Sequence, residues 1–413
     1  MEEYGRLMAL LNGPRVYPRL VELFRQADER YNSGLFHFRR EKNRTEPPDE
    51  LTPALVIDDK VLKDIIRQLY YPDSPYEFSV LPADILGQVY EQFLGKVIRL
   101  TPAHRAKVEE KPEVRKAGGV YYTPTYIVDY IVKHTVGKLL EGKTPQEVGG
   151  LTKNWRPSKR RHPLRILDPA CGSGSFLLGA YQYLLDWYRD RYVEDGPEKH
   201  AKGKHPRLFR GPGGEWRLTT AERKRILLTH IYGVDIDPQA VEVTKLSLLL
   251  KVLEGETSET LERQLKLFHE RALPDLGRNI KCGNSLVGPD FYETADIASL
   301  DREELLHINP FDWHTEFPEV FQAGGFDAVI GNPPYISFGL RGAQKLEKCL
   351  DRYLRNKYPH SAEYKLSTYA IFINRAIDLL KDKCRLAFIV PDSFLLGRYF
   401  FEVAEIYPGH LCY

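Results

Sequence analysis

The sequence predicts an α/β protein in which a doubly wound sheet follows a small helical domain. Two observations support this fold class. From residue 118 onward, short apolar runs of strand type alternate with helical segments, which is typical of a parallel sheet. Before residue 95, apolar residues recur at the spacing of amphipathic helices, and strand patterns are rare.

The composition is that of a globular chain: of its 413 residues, 42% are hydrophobic and 28% are charged. No apolar run reaches the roughly 18 residues of a membrane helix, and the N-terminus lacks the pattern of a secretory signal. The five cysteines have no metal-ligand spacing. We therefore expect a cytoplasmic protein without a metal site.

Positive charge is concentrated in two segments, although the formal net charge is only +2. Residues 153–165 include six Lys or Arg residues and no acid, and residues 341–357 include six against two acids. Such runs are usually solvated surface. Because both lie next to candidate ligand-binding segments, they are also candidates for contacts with phosphate groups.

The predicted helical domain covers residues 1–101. Apolar residues occur at helical spacing at 16–28, 61–69 and 85–94. The charged segment 102–117 has no apolar periodicity and is predicted to be a linker.

The same region offers a weaker candidate for a nuclease site. Pro72 and Asp73, together with Glu109, Glu110 and Lys111, could be arranged as a metal-dependent nuclease pattern. No strand pattern carries these residues and the lysine lies in the predicted linker, so solvated charge is favoured.

The second predicted domain, residues 118–413, begins with a turn that leads into a helix. Thr123 is the expected N-cap and Pro124 the expected first helical residue, with the helix ending near Leu140. Capping alone would explain Thr123. Its position at a helix start also makes it a candidate for contact with a ligand.

The next segment predicts the first strand and glycine loop of a Rossmann-like sheet. An apolar run ends at Asp168, a loop of small residues follows, and a helix is expected from Phe176 to about Tyr188. Gly172 and Gly174 would allow the backbone to approach a ligand. No third glycine follows at dinucleotide spacing, so a pyrophosphate site is poorly supported. The acid suits a cationic or amino-bearing ligand better.

Two further strand ends carry polar candidates. The apolar run beginning at Ile231 ends at Asp235, which is the usual position of a ribose-hydroxyl ligand. Asp237 is expected to start the following helix. Asn284 follows a third predicted strand, where its amide could lie near a bound adenine or could simply form a turn.

The fourth strand end is the most distinctive. An apolar run from Phe326 to Ile330 leads through a glycine into Asn332-Pro333-Pro334-Tyr335. Two prolines fix two φ angles, so the turn should hold an amide, a carbonyl and an aromatic ring rigidly. This suits a flat hydrogen-bonding group such as a nucleobase, with a stiff surface turn as the alternative. A helix at 367–381 and a strand at 385–390 are expected to continue the sheet.

Taken in order, the segments 121–124, 168–176, 233–238, 283–286 and 332–335 resemble those of adenine-N6 DNA methyltransferases with the gamma motif order. The flanking sequence is similar to type IIG restriction–modification methyltransferases and their relatives in phage defence.

The resemblance implies S-adenosylmethionine as cofactor and DNA as partner. The residues that it assigns to the cofactor are Thr123, Asp168, Pro169, Ala170, Gly172, Gly174, Asp235, Ile236 and Asn284. Asp235 would take the ribose hydroxyls, and Asn284 the cofactor adenine, although many relatives have Asp at the latter position. The target adenine would be held by Asn332, Pro333, Pro334 and Tyr335.

The implied chemistry needs neither a metal nor a covalent intermediate. Acceptance of hydrogen bonds by the Asn332 side chain and the Pro333 carbonyl would localise the amino lone pair of the adenine. Tyr335 would stack on the base, which must leave the duplex. Positioning and preorganised acceptors would supply the rate.

The chain also departs from the pattern of this family. A further strand, an aromatic residue above the flipped base and a target-recognition domain would follow residue 390, but the sequence stops at Tyr413. We therefore expect an incomplete C-terminus, with sequence recognition absent from this chain or residing in a partner, such as a separate specificity or C-terminal subunit.

Two alternatives remain open. Methylation of a protein glutamine or of RNA could use the same turn, although such enzymes are usually shorter. An inactive subunit that binds cofactor and DNA and needs a partner is the second. A nicotinamide dehydrogenase is disfavoured by the glycine spacing.

Overall fold

The computed structural model describes residues 5–31, 38, 48–74, 85, 96–101, 105–110, 123–150, 162–211, 213–256, 273–293, 308–335, 345–361 and 367–392. The chain forms two compact units. One comprises Met1–Leu86 with Leu246–Leu276, and the other comprises Gly87–Lys245 with Gly277–Tyr413. Several predicted features lie outside the described residues: most of the helix at 85–94, the turn at 118–122, the basic residues 153–161 and the C-terminal residues 402–413.

The first unit is helical in its described N-terminal part. Its helices are α1 (Arg6–Ala9), α2 (Val16–Tyr31), α3 (Leu51–Ala54) and α4 (Asp59–Gln68). The apolar faces of α2 and α4 form one buried cluster, which includes Val16, Val21, Leu62 and Ile66. Asp59 connects the two helices, because its carboxylate accepts hydrogen bonds from the backbone N–H groups of Arg15 and Val16 at 2.8 Å. The helices predicted at 16–28 and 61–69 are confirmed.

The predicted linker contains a strand that the sequence did not reveal. β1 (Lys96–Leu100) pairs antiparallel with β2 (Ala106–Glu110), so 102–117 is not an irregular linker throughout. The two strands pair through backbone groups. The charged sequence of β2 does not indicate a strand.

The second unit contains the parallel sheet. In chain order its strands are β3 (Ile166–Asp168), β6 (Ile231–Asp235), β7 (Ile280–Cys282), β8 (Phe326–Gly331) and β9 (Leu380–Phe388). Their order in the sheet is β7-β6-β3-β8-β9, and every pairing is parallel. The chain therefore winds outward from the central strand β3 in one direction and then in the other. This confirms the doubly wound α/β fold.

Helices connect these strands. Their bounds are α5 (Thr125–Val132), α6 (Lys138–Leu140), α7 (Pro145–Val148), α8 (Ser175–Glu194), α9 (Pro197–His200), α10 (Thr220–His230), α11 (Pro238–Leu253), α12 (Trp313–Glu316), α13 (Pro318–Phe321), α14 (Lys345–Lys357) and α15 (Thr368–Leu379). A π-helical turn, Lys133–Gly137, joins α5 to α6. A hairpin of β4 (Leu208–Arg210) and β5 (Trp216–Leu218) lies between α9 and α10.

The core of the second unit lies on both faces of the sheet. On one side, the 20-residue helix α8 buries Phe176, Leu177 and Leu184. On the other, Leu167, Val234 and Val329 belong to a cluster with Phe311, Trp313 and Phe317. This packing fixes the carboxyl ends of β3, β6 and β8 relative to one another. In doubly wound sheets, ligands bind outside these ends, where the strand order reverses.

Candidate functional site

The loop after β3 has the geometry of a close-approach glycine loop. Gly172 and Gly174 adopt φ values of 52° and 87°, which residues other than glycine rarely adopt. A Cβ on Gly174 would lie 2.9 Å from Cγ2 of Thr244. The same threonine donates a hydrogen bond from its hydroxyl to the carbonyl of Gly172 at 2.8 Å. Thr244 on α11 therefore fixes the loop, and no local sequence signal had indicated it.

Asp235 connects this loop to the end of β6. One carboxylate oxygen accepts from the N–H of Gly172 at 2.8 Å, and the other accepts from the N–H of Asp237 at 2.9 Å. Burial raises the pKa of Asp235, against the lowering effect of these two hydrogen bonds. Asp237 accepts from the N–H of Gln239 at 2.9 Å, which confirms it as the start of α11. Gly172 and Asp235, which are both predicted cofactor residues, thus lie within hydrogen-bond distance of each other.

Asp168 is almost fully buried at the end of the central strand. Its side chain is 2% exposed, and it accepts one hydrogen bond, from the N–H of Ala170 at 3.0 Å. Burial raises the pKa of Asp168 to about 8, and the nearby charge of Asp235 acts in the same direction. A cation next to this carboxyl would reverse that effect.

The end of β8 packs directly against this acid. A Cβ on Gly331 would lie 2.7 Å from Oδ1 of Asp168, closer than real Cβ contacts allow. Only glycine therefore permits the backbone before Asn332 to come this near. The contact joins the glycine-loop strand to the strand that carries the proline turn.

The proline turn is held from three sides. The amide nitrogen of Asn332 donates to the hydroxyl of Thr123 at 3.3 Å. The hydroxyl of Tyr335 lies 2.5 Å from Oδ1 of Asn332 and 2.9 Å from the carbonyl of Ile389, and it donates to these acceptors. Thr368 donates from its hydroxyl to the carbonyl of Pro334. Burial raises the pKa of Tyr335 to about 12, so the phenol remains a donor at neutral pH.

Thr123 does not have the capping role that the sequence suggested. The helix begins at Thr125, its N-cap is Pro124, and no side chain caps it. The extended backbone of Pro124, with ψ of 139°, places the helix start two residues after Thr123. The buried Thr123 hydroxyl instead accepts a hydrogen bond from Asn332.

The loop after β7 packs on the glycine loop. Ser285 donates from its hydroxyl to the carbonyl of Pro169 at 2.5 Å. Asn284 forms a turn, because its Oδ1 accepts from the N–H of Leu286 at 3.1 Å and its own N–H donates to the carbonyl of Asn309 at 2.7 Å. Asn284 was predicted from the sequence as a cofactor residue, whereas Ser285 was not predicted as a site residue.

Ile236 is the most exposed of the predicted cofactor residues. Its side chain is 49% exposed, directly after the half-buried Asp235. An exposed apolar side chain at the end of a central strand could cover one face of a flat ring. The carbonyl of Ile236 lies 3.6 Å from the sulfur of Cys282.

The part of the chain that the structure describes contains no group of three or more His, Cys, Asp or Glu residues that could hold a metal ion. None of the helices described is both long and apolar enough to cross a membrane.

Two family models together match residues 82–406 of the chain. Residues 82–271 match the N-6 DNA Methylase family model, and residues 229–406 match the model of the Eco57I restriction-modification methylase. The first match contains the glycine loop, and the second contains the Asn332 turn. The chain belongs to the N-6 DNA methylase family. The resemblance inferred from the order of its segments is confirmed.

Several longer proteins are similar to this N-6 DNA methylase. The type II restriction enzyme and methyltransferase RM.Eco57I of Escherichia coli is 33% identical over 396 residues, which are 96% of this chain and 34% of that protein. The putative type II restriction enzyme and methyltransferase RM.MjaORFECS2P of Methanocaldococcus jannaschii is 30% identical over 62% of this chain and 21% of its own length. The adenine-specific methyltransferase PglX of Streptomyces coelicolor is 25% identical over 72% of this chain and 21% of its own. The chain thus spans about a third or less of these relatives.

Proposed function

We propose that this chain transfers a methyl group from S-adenosylmethionine to the N6 amino group of a flipped adenine in DNA, within a restriction–modification or phage-defence system. The contact between Gly331 and Asp168 carries the proposal. It brings the loop suited to a cofactor and the turn suited to a base to the same point of the sheet edge. Membership of the N-6 DNA methylase family, and the names of RM.Eco57I and PglX, support the reaction and the target.

The residues after β3 and β6 fit S-adenosylmethionine. Asp168 offers a buried carboxyl to an amino or sulfonium cation, and Asp235 lies at the position that binds ribose hydroxyls in related folds. Gly172 and Gly174 leave backbone close to the ligand. Ile236 and Asn284 would contact the cofactor adenine. When bound, the cofactor supplies an electrophilic methyl group on its sulfonium.

The Asn332 turn would bind and activate the target amino group. The Oδ1 atom of Asn332 and the carbonyl of Pro333 would each accept an N–H from the adenine, which draws its lone pair out of conjugation with the ring. The hydrogen bond from Asn332 to Thr123 supports this assignment, because it uses the amide nitrogen and directs the oxygen elsewhere. Oδ1 already accepts from the hydroxyl of Tyr335, so the target amino group would share or displace this donor.

Tyr335 would serve as the stacking surface for the base. Stacking of a base on an aromatic ring contributes about 1–3 kcal/mol to binding. The ring is braced by an edge contact with Tyr369, at 6.2 Å between centroids. A base must be extruded from the duplex to reach such a turn, which costs a few kcal/mol. We also propose a cytoplasmic location, which is consistent with four free cysteines among the described residues.

The proposal is tested by incubation of the purified chain with methyl-labelled S-adenosylmethionine and unmethylated genomic DNA. Digestion of the DNA to nucleosides should place the label in N6-methyladenine. Label in cytosine, in RNA or only in protein would contradict the proposal. Cofactor binding without any transfer would instead favour a binding subunit that depends on a partner.

A further inference from the structure

We propose that the exposed face of α14, formed by Lys348, Arg352 and Arg355, binds DNA phosphates beside the flipped adenine. This basic face rests on the proposed function and names the surface that would hold the DNA backbone. The three residues are spaced at i, i+4 and i+7, which places them on one side of a helix. Lys348 and Arg352 are exposed, and the side chain of Arg355 is 31% exposed.

The opposite face of α14 anchors the helix close to the site. Tyr353, Leu354 and Tyr358 are buried in a cluster with Leu286, Val287, Phe291 and Phe372, and Ala170 of the glycine loop packs against this cluster. The N–H of Gly288 donates to the hydroxyl of Tyr353 at 3.0 Å. The hydroxyl of Tyr358, just after α14, donates to the carbonyl of Leu286 at 3.0 Å. The helix is therefore fixed to the loop that follows Asn284.

Lys357 also lies on α14, but its ammonium group anchors the helix and is not part of the basic face. Lys357 bonds both carboxylate oxygens of Asp290 at 2.7 Å and the hydroxyl of Tyr353 at 2.8 Å, so it is committed to anchoring. Asp351 is buried, and its carboxylate accepts from Nε of Arg355 at 2.9 Å. That ion pair orients the guanidinium and offsets one of the three positive charges of the face.

The dimensions of the face match a nucleic-acid backbone. From Lys348 to Arg355 the helix rises by about 10 Å, at roughly 1.5 Å per residue. Phosphates recur about every 3.4 Å of axis on one DNA strand, so the face spans about three of them. Base contacts are not required, and the face should bind DNA irrespective of sequence.

The test is the salt dependence of DNA affinity for the full chain. Fluorescence anisotropy with a labelled 30-base-pair duplex is recorded over a series of NaCl concentrations, with S-adenosylmethionine present. The double variant Lys348→Gln/Arg352→Gln should lower the slope of log Kd against log salt by about 1.8, at about 0.9 per phosphate contact. The charge-reversal variant Lys348→Glu/Arg352→Glu should weaken binding further.

The matched control is Lys202→Gln/Lys204→Gln. These two lysines are exposed and follow α9, beyond the far end of α8. The N-terminus of α8 lies at the glycine loop, so its 20 residues place its other end about 30 Å away, at roughly 1.5 Å per residue. The control should keep the wild-type slope, and all variants should keep wild-type affinity for S-adenosylmethionine, which verifies folding.

Two results would overturn the inference, and they are distinguishable. If the wild type methylates adenine in DNA but the α14 variants retain its slope, the basic face does not contact phosphates and the proposed function stands. If the wild type neither binds nor methylates DNA, the proposed function fails and the inference fails with it.

Discussion

The amide nitrogen of Asn332 donates a hydrogen bond to the hydroxyl of Thr123 at 3.3 Å, although the two residues are 209 positions apart in the chain. An asparagine amide can be bound in two orientations, which exchange its donor and its acceptor. A partner that accepts selects the orientation in which the nitrogen faces it. Thr123 therefore directs Oδ1 of Asn332 to the opposite side, where it accepts a hydrogen bond from the hydroxyl of Tyr335.

Replacement of Thr123 should affect the chemical step. Thr123→Val removes the hydroxyl at nearly constant volume. It should lower kcat about 5- to 10-fold, because one hydrogen bond contributes about 1 kcal/mol. Thr123→Ser keeps the hydroxyl and should retain most of the rate. Steady-state kinetics separate this role from a cofactor contact, because the KM for S-adenosylmethionine should stay within about twofold of wild type. A large rise in that KM with kcat unchanged would contradict the orienting role.

Tyr335 has two separable groups. Its hydroxyl donates to Oδ1 of Asn332, the atom that the target amino group would use. Tyr335→Phe keeps the ring and removes this competing donor, so the KM for DNA should stay equal or fall by up to about fivefold, at about 1 kcal/mol per hydrogen bond. Tyr335→Ala removes the stacking surface and should weaken DNA binding by about 1–3 kcal/mol. Equal losses in the two variants would show that the hydroxyl, and not the ring, is needed.

Gly331→Ala tests the contact between the strands. The added Cβ would lie 2.7 Å from Oδ1 of Asp168 and must displace it. Urea denaturation should show a loss of about 1–3 kcal/mol, as for other overpacked sites, together with weaker binding of S-adenosylmethionine. The control Gly5→Ala adds a Cβ with no heavy atom within 4 Å and should change stability by less than about 1 kcal/mol. Wild-type cofactor affinity in Gly331→Ala would contradict the proposed juxtaposition.

The affinity for S-adenosylmethionine should depend on pH through Asp168. Its pKa is raised to about 8 by burial, so the carboxyl is largely protonated at pH 6.5 and ionised at pH 9. A cationic ligand favours the ionised form, and binding should strengthen as the pH rises toward about 8 and then level off. The same shift stabilises the ligand-free fold at low pH, and this stabilisation is lost as the pH rises through about 8.

Calorimetry in buffers of different ionisation enthalpy would measure the proton released on binding at pH 6.5. Asp168→Asn can still accept the hydrogen bond from Ala170 through Oδ1 but cannot titrate. It should bind more weakly above pH 8 and show no proton release. An unchanged pH profile in Asp168→Asn would exclude this carboxyl as the source.

The sequence predicted β3, β6 and β8 well because these strands are short, mostly apolar and end at Asp or Gly. The ends at Asp168, Asp235 and Gly331 all lie at the carboxyl edge of adjacent strands, as parallel winding requires. The strand β2 was missed, since three of its five residues are charged, and charged residues are depleted in strands.

The supporting contacts could not be predicted from local pattern. Thr244 and Ser285 act on the glycine loop from 72 and 116 positions away from their partners, and such distances leave no trace in spacing or periodicity. The capping role expected for Thr123 was wrong for the same reason. A threonine before a helix looks like a cap, and only the tertiary structure reveals the amide that it binds.

The most direct test of the central claim is the single-turnover rate of N6-methyladenine formation by Asn332→Ala. Removal of one preorganised group of this type typically costs about 100- to 1,000-fold in rate. We predict a loss of at least about 100-fold, with S-adenosylmethionine affinity within about threefold of wild type. A rate within about threefold of wild type would contradict the claim that the Asn332 turn activates the adenine amino group.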